Sequence, residues 1–467
     1  MGHHPFPPGF LWGVATSAFQ IEGATRDGGR GESVWDRFCT QPGAISDGSD
    51  GARACEHFSR YREDIALMRE LGVRSYRFSI GWTRVLPSGS GPVNEAGLAF
   101  YDRLVDALLA AGIEPFATLN HWDQPQALMP AGGWAARDSV DRFVEYADAT
   151  SRRLGDRVKR WATHNEPWCI AILGYENGMH APGLKEPRKA LAAAHHLLLS
   201  HGRSVPVLRS NVKGGEIGLV VNLVPAHPAS PSEADRTAAR ELDGSFNRWF
   251  LDPVFKGSYP ADAIDDRVAL GHLDSADLPF VHAGDLAQIQ APIDFLGINY
   301  YSRGILRSTR VPETENAPRT IPAPPPEAMT DMGWEVYPDG LREILVRVHQ
   351  DYAVKRLYVT ENGCAYSDGP DSSGRVADVR RREYLRGHLL ACKRALDEGV
   401  PLGGYYQWSL LDNFEWQFGY SKRFGIVWVD FETQQRIVKD SGLWYRDVIV
   451  ANAVDDEDTR ERALRSA

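Results

Sequence analysis

Cysteine is scarce in this chain and poorly spaced for chemistry. The five residues, Cys39, Cys55, Cys169, Cys364 and Cys392, are odd in number and contain no CxxC pair. That argues against a disulfide framework and against a structural zinc site. No apolar run is long enough to span a bilayer. No polybasic run occurs either, and a net charge of −10 offers no basic face to a phosphate backbone. The first residues, MGHHPFPPGF, lack the basic start, apolar stretch and small-residue cleavage site of a secretory leader. Together these absences predict reduced thiols, a cytoplasmic location, and neither membrane nor nucleic acid as partner.

What is present is a large apolar payload. The chain has 467 residues, 43% of them hydrophobic, which suffices for a substantial core. Length alone would suggest ~3 domains, but α/β barrels of this size fold as one unit. The 13 tryptophans suit sugar rings with their flat faces, although tryptophan also fills cores.

Eight short β-rich runs recur along the chain, at 10–16, 73–80, 113–121, 158–167, 216–224, 294–301, 356–363 and 402–412. They are apolar on both faces, as parallel strands covered on both sides must be. Amphipathic stretches lie between them, at 58–71, 98–111, 139–154 and 382–398, with Gly72 as a helix stop after the first. Eight strands alternating with helices predict an α/β fold, a single (β/α)₈ barrel over residues 1–467 with long βα loops. An open doubly wound sheet is the competitor. It would carry a glycine-rich phosphate turn after its first strand, where this chain has ATSAFQIEG. The irregular stretches 225–260 and 311–326 could be interdomain linkers. They are read as long βα loops because strand-like runs resume beyond each. The charged tail from 454 reads as frayed or as a surface helix, and no internal repeat is visible.

Polar and aromatic residues gather where the apolar runs end. Gln20 and Glu22 follow the first run, His121 and Trp122 the third. Asn165 and Glu166 end the fourth, Asn299 and Tyr301 the sixth, Glu361 and Asn362 the seventh. Trp408 lies in the eighth, with Glu415 and Trp416 beyond it. In a barrel these ends share one face, where active sites are built. A glutamate is ordinarily a solvated surface charge. Glu166, in HNEPW, and Glu361, in TENG, instead end strongly apolar strands. A carboxylate at a barrel mouth must be paired, hydrogen-bonded or protonated. Two opposed carboxyl groups are what glycosidic cleavage needs, one to protonate the leaving oxygen and one to attack the anomeric carbon. Arg77 and Tyr301 are the natural groups to hold the attacking carboxylate ionised.

The motifs FLWGVATSAFQIEGA (10–24), THNEPW (163–168), GINYYS (297–302), TENG (360–363) and WSLLDNFEWQFGYSKRFG (408–425) are long and ordered. Through them the chain resembles glycoside hydrolase family 1, the β-glucosidase family, along nearly its whole length. The resemblance implies Glu166 as general acid/base and Glu361 as nucleophile, supported by Arg77, Tyr301 and Asn299. It implies Asn165 on the sugar 2-hydroxyl, and Gln20, His121, Trp122, Glu415, Trp416 and Phe424 around the rest of the ring. Trp408 would be the platform beneath it, and Trp168 and Trp334 the aglycone-side aromatics. It further implies a retaining spacing of about 5–5.5 Å between the carboxyl groups, no metal and no organic cofactor. Small β-glucosides are the implied partners, with homo-oligomerisation left open.

Several positions bear on the subfamily. Glu166 is present, whereas thioglucoside-cleaving members carry a neutral residue there. Glu415 and Phe424 stand where 6-phospho-glycosidases have serine and tyrosine. A carboxylate at 415 would repel a sugar phosphate, although Lys422 remains, so an unphosphorylated sugar is favoured. His164 and Cys364 depart from the commonest family residues, and His164 reads as a packing variant because strand alternation turns it away. The expected activity is hydrolysis of terminal β-D-glucosyl residues from cello-oligosaccharides or aryl and alkyl β-glucosides, with β-galactosides or β-fucosides also accepted. The alternatives are an enzyme acting mainly on those last two sugars, or a non-catalytic carbohydrate-binding barrel. Such binding relatives typically lose one glutamate, and this chain keeps both.

Overall fold

All eight apolar runs are strands of one closed parallel barrel in the computed structural model, which describes residues 2–309 and 324–456. The strands are β1 (Leu11–Ala15), β2 (Ser75–Ser79), β3 (Glu114–Asn120), β4 (Arg160–Asn165), β5 (Glu216–Asn222), β6 (Phe295–Asn299), β7 (Leu357–Asn362) and β8 (Leu402–Trp408). Each pairs with its neighbours in chain order, and β8 closes on β1 with Gly404 to Trp408 opposite Leu11 to Ala15. Nearly every strand residue is buried, which is the two-sided burial that their unbroken apolar character predicts.

Helices cover the outside. They are α1 (His57–Glu70), α2 (Glu95–Ala110), α3 (Asp138–Leu154), α4 (Pro187–Asn211), α5 (Glu233–Leu242), α6 (Trp249–Phe255), α7 (Pro338–Tyr352), α8 (Val379–Asp397) and α9 (Asp440–Ala451). Gly72 does stop α1, with φ of +69°, a left-handed conformation that costs a side-chain-bearing residue more. The core between barrel and helices is continuous, running from Phe6 and Trp12 through Leu104, Leu197 and Leu345 to Tyr445. His164 lies in this layer. It stacks on Phe143 of α3 at 4.3 Å and contacts Ser200 of α4 through Nε2 at 2.8 Å, which is the packing position expected of it.

The barrel interior is filled in layers. Phe116, Phe295, Tyr358 and Tyr406 pack edge to face inside the lower part. Arg160 lies over this plug and pairs with Glu114 and Glu216. Small residues, Ala15, Ala162 and Val220, follow in the same cluster. They leave the upper end of the barrel to larger polar groups.

Two expectations need correction. The stretch 225–260 is not an irregular loop: α5, a wide turn over Asp243–Arg248 and α6 run through it as a nearly continuous helical segment. Its prolines misled, because Pro253 sits inside α6 and the earlier ones precede the helix. The tail begins later than 454, because Ala453–Asp455 pairs antiparallel with His3–Pro5 and Val454 is buried. Residue 457 onward, and 311–323 of the proline-rich stretch, lie outside the described residues. Among the described residues no helix is long and apolar enough to cross a membrane.

Candidate active site

Arg77 is the hub of the upper barrel. It ends up buried because β2 directs it inward, where it is only 1% exposed. A guanidinium in such a place needs several acceptors, and it has four. Its Nη1 donates to Glu361 Oε1 at 2.7 Å and to the Thr360 carbonyl at 3.2 Å. Its Nη2 donates to Asn165 Oδ1 at 2.7 Å, and its Nε to Thr118 Oγ1 at 3.2 Å. Strands β2, β3, β4 and β7 are thereby tied through one side chain.

The two glutamates receive different company. Glu361 Oε1 takes Arg77, and its Oε2 accepts from the Tyr301 hydroxyl at 2.7 Å. Among the described residues, Glu166 has no cation within pairing distance. Its Oε1 accepts from Asn299 Nδ2 at 2.7 Å and its Oε2 from the Cys169 thiol at 3.1 Å. Asn299 also donates to Asn165 Oδ1 at 3.0 Å and accepts from Thr360 Oγ1 at 2.7 Å. A single hydrogen-bonded chain therefore links the carboxyl groups, from Glu361 through Arg77, Asn165 and Asn299 to Glu166.

Burial pushes the Glu166 carboxyl up to about 8, and the neighbouring Glu361 charge adds to this. At neutral pH Glu166 thus holds a proton. Burial also raises Glu361, but Arg77 and the Tyr301 hydroxyl act against it and favour its anion. Two glutamates at strand ends thus differ through their neighbours, which leave the acid form favoured at Glu166 and work toward the anion at Glu361.

The sugar-binding candidates surround this pair. Asn165 Oδ1 is fully engaged by Arg77 and Asn299, so its amide can turn only Nδ2 outward, and Nδ2 meets His121 Nε2 at 3.1 Å. Burial holds the His121 imidazole neutral, well below its ordinary value. Accepting at Nε2 leaves its proton on Nδ1, which has no partner among the described residues. Gln20 reaches Glu415 Oε2 at 3.4 Å and the Phe414 carbonyl at 2.9 Å. Burial, the Glu361 charge and the neighbouring Glu166 carboxyl push Glu415 up to about 8. At neutral pH this favours its uncharged acid form. The Nζ of Lys422 donates to the Asp331 carbonyl at 2.6 Å.

Aromatic rings wall the site. His121 lies parallel to Trp408 and Trp416, at 5.7 Å and 6.0 Å between centroids. Trp122 packs on Trp416 at 4.5 Å, and Trp416 stacks on Phe19 at 6.0 Å. Phe424 meets Tyr301 edge-on at 6.0 Å, and Trp334 lies against both. Trp168 lies against Phe246 of the wide turn, 4.1 Å between centroids. Glu166, Trp122 and Trp416 all have left-handed backbones, with φ of +49°, +78° and +47°. Such strain, of order 1 kcal/mol or more each, persists only where surrounding packing fixes it, and here it falls on three site residues.

Fourteen of the fifteen candidate residues are thus brought together toward the C-terminal ends of the strands, and Trp168, two residues after Glu166, is placed against Phe246. Glu22 does not join them. It turns away to pair with Arg84 at 2.9 Å and accept from Tyr101 at 2.8 Å. The sequence reading missed Thr118, Thr360, Cys169, Asn222 and Phe246. The first two have hydroxyls that read as ordinary strand threonines, and Cys169 reads as a core filler. Only its place three residues after Glu166 at a helical start signals contact. Among the described residues, no group of three or more His, Cys, Asp or Glu side chains is arranged to hold a metal.

Comparison with known proteins agrees with this geometry. The model of glycosyl hydrolase family 1 matches residues 2–454. "Beta-glucosidase A" of Thermotoga maritima is 46% identical over 453 residues, covering 97% of this chain and 99% of that protein. A "bifunctional beta-D-glucosidase/beta-D-fucosidase" of Bifidobacterium breve is 43% identical, covering 94% of this chain and 97% of its own length. Among solved structures, a family 1 β-glucosidase from Thermotoga maritima superposes with a TM-score of 0.90 at 44% identity, over 98% of this chain and all of that one. The same enzyme in complex with isofagomine lactam gives a TM-score of 0.91 at 45% identity, over 97% of this chain. The barrel, the paired carboxyl groups and these matches lead to one statement: this chain belongs to glycosyl hydrolase family 1.

Proposed function

We propose that the chain is a retaining β-glucosidase, one catalytic unit over its whole length, with Glu361 as nucleophile and Glu166 as acid/base. The observation that carries this is the asymmetry of the two buried carboxyl groups: a cation and a phenol on Glu361, an amide and a thiol on Glu166. In the first half-reaction a Glu361 oxygen bonds to the anomeric carbon as the bond to the leaving oxygen breaks. The Glu166 proton passes to that oxygen. Esterified Glu361 has lost its charge, which removes one of the causes that raise Glu166. Glu166 is then a carboxylate fit to take a proton from water. The water oxygen bonds to the anomeric carbon, Glu361 leaves as an anion, and the configuration is retained.

Substrate binding follows from the same wall. Trp408 is the platform under the ring. Gln20, His121, Asn165 and Glu415 take its hydroxyls, with Trp122, Trp416 and Phe424 closing the space. Asn299 orients Glu166 and Asn165 together, and Trp168 and Trp334 receive the leaving group. The matched names, β-glucosidase and bifunctional glucosidase/fucosidase, support terminal β-D-glucosides of cello-oligosaccharide, aryl or alkyl type, with β-fucosides accepted as well. Five unpaired thiols, four of them buried, support a reducing, cytoplasmic setting. Proton NMR of early hydrolysis of an aryl β-glucoside tests the reading. β-Glucose is expected as the first-formed anomer, and α-glucose, or no hydrolysis, would overturn it.

A further inference from the structure

Cys169 opens the wide helical turn Cys169–Glu176, and its backbone N–H donates to the Glu166 carbonyl at 3.0 Å. This brings its side chain back over the strand end. The thiol lies 3.1 Å from Glu166 Oε2, and Asn222 Nδ2, at the end of β5, donates to the sulfur at 3.5 Å. With the Asn222 amide occupying a sulfur lone pair, the S–H is turned toward the carboxyl. The other Glu166 oxygen is taken by Asn299, so both are held by uncharged donors. The charged and titratable groups facing this corner are Glu361, Glu415 and Tyr301, with Arg77 beyond Glu361. Burial and the nearby carboxylates keep the thiol far above its ordinary value, so it remains an S–H donor across the working range.

We propose that Cys169, seated by Asn222, is a positioning residue that sets the acid strength of Glu166 and favours the proton-donating half of the cycle. The proposal rests on the acid/base reading of Glu166. A donor hydrogen bond stabilises the carboxylate over the acid. It therefore helps Glu166 release its proton to a leaving oxygen, and it makes the same carboxylate a weaker base toward water. A thiol is a weak donor, so the bias is modest and tunable. Two otherwise similar barrels would differ in which half-reaction limits turnover according to the residue at this position.

The test compares Cys169→Ala, Cys169→Ser and Asn222→Leu with the wild type, on an alkyl β-glucoside and on dinitrophenyl β-glucoside, as full pH profiles. For Cys169→Ala the alkaline limb of kcat/KM moves up by roughly 0.5–1 pH unit, the weight of one weak hydrogen bond to a charged group. Its kcat/KM on the alkyl substrate falls by roughly three- to tenfold. Its kcat on the dinitrophenyl substrate, where water attack limits, is unchanged or higher. Serine, still a donor, keeps the wild-type limb. Asn222→Leu shifts the limb in the alanine direction by a smaller amount without touching the thiol. An unmoved limb in Cys169→Ala, or equal losses on both substrates in Ala and Ser alike, would overturn the proposal while leaving Glu166 as acid/base. A wild type showing no alkaline limb on the alkyl substrate would overturn both.

Discussion

Glu166 and Glu361 start from the same chemistry and differ through what touches them. Of the two glutamates, Arg77 and Tyr301 hydrogen-bond Glu361, while Glu166 is held by uncharged donors. Replacing Glu361 with alanine removes the nucleophile, and turnover should fall by roughly four to six orders of magnitude. Added azide should restore a product of inverted configuration, α-glucosyl azide, seen by NMR; wild-type-like hydrolysis by this variant would contradict the role. Glu166→Ala should slow alkyl glucosides by roughly 10²–10⁴-fold and dinitrophenyl glucoside far less, because that leaving group needs no proton. The pH profile carries the same assignment. Glu166 must be protonated to act, and its carboxyl is pushed up to about 8. Wild-type kcat/KM on alkyl glucosides should therefore fall as pH rises through about 8. This limb should vanish in Glu166→Ala.

At the scale of elements, the strands were legible and much of their decoration was not. Eight apolar runs became eight barrel strands because two-sided burial leaves an unbroken apolar signature. The helices in 225–260 hid behind prolines, which sequence reads as breakers wherever they fall. The site showed the same division. Residues at strand ends, Asn165, Glu166, Asn299, Glu361 and Trp408, were found by position. Cys169 and Phe246 were not, because they reach the site from two separate wide helical turns that no local pattern links, and Asn222, although it ends β5, was passed over inside an apolar run. Glu22 was the opposite error, a strand-end acid that a nearby arginine diverts. The junction of β7 and β8 offers a test at this scale. A Cβ on Gly363 would lie 1.7 Å from the Trp408 carbonyl oxygen, so the two strand ends approach only because that side chain is absent. Gly363→Ala should cost about 3 kcal/mol or more in a denaturant melt and displace Glu361 and Trp408. Gly369→Ala, with nothing near its Cβ, should change stability by less than about 0.5 kcal/mol.

For the whole molecule, the active site is a place where stability is given up. Glu166 and Glu415 both have folded carboxyls pushed up to about 8, well above the ordinary value of 4.5. A raised carboxyl means that the folded state keeps a proton the unfolded chain releases. Between those two values stability falls as pH rises, and below about 4.5 the penalty is absent. Glu166→Gln, which keeps the shape and removes the titration, should raise the melting temperature by a few degrees at pH 7 and leave it unchanged near pH 4. A melting temperature lowered at both pH values would contradict the linkage. The central claim, that Glu361 bonds to the sugar, is tested most directly by trapping the intermediate. After incubation with a 2-deoxy-2-fluoro-β-glucoside bearing a dinitrophenyl leaving group, mass spectrometry should find one fluoroglucosyl unit per chain, on the peptide carrying Glu361. An adduct on any other residue, or a turnover with no adduct at all, would contradict it.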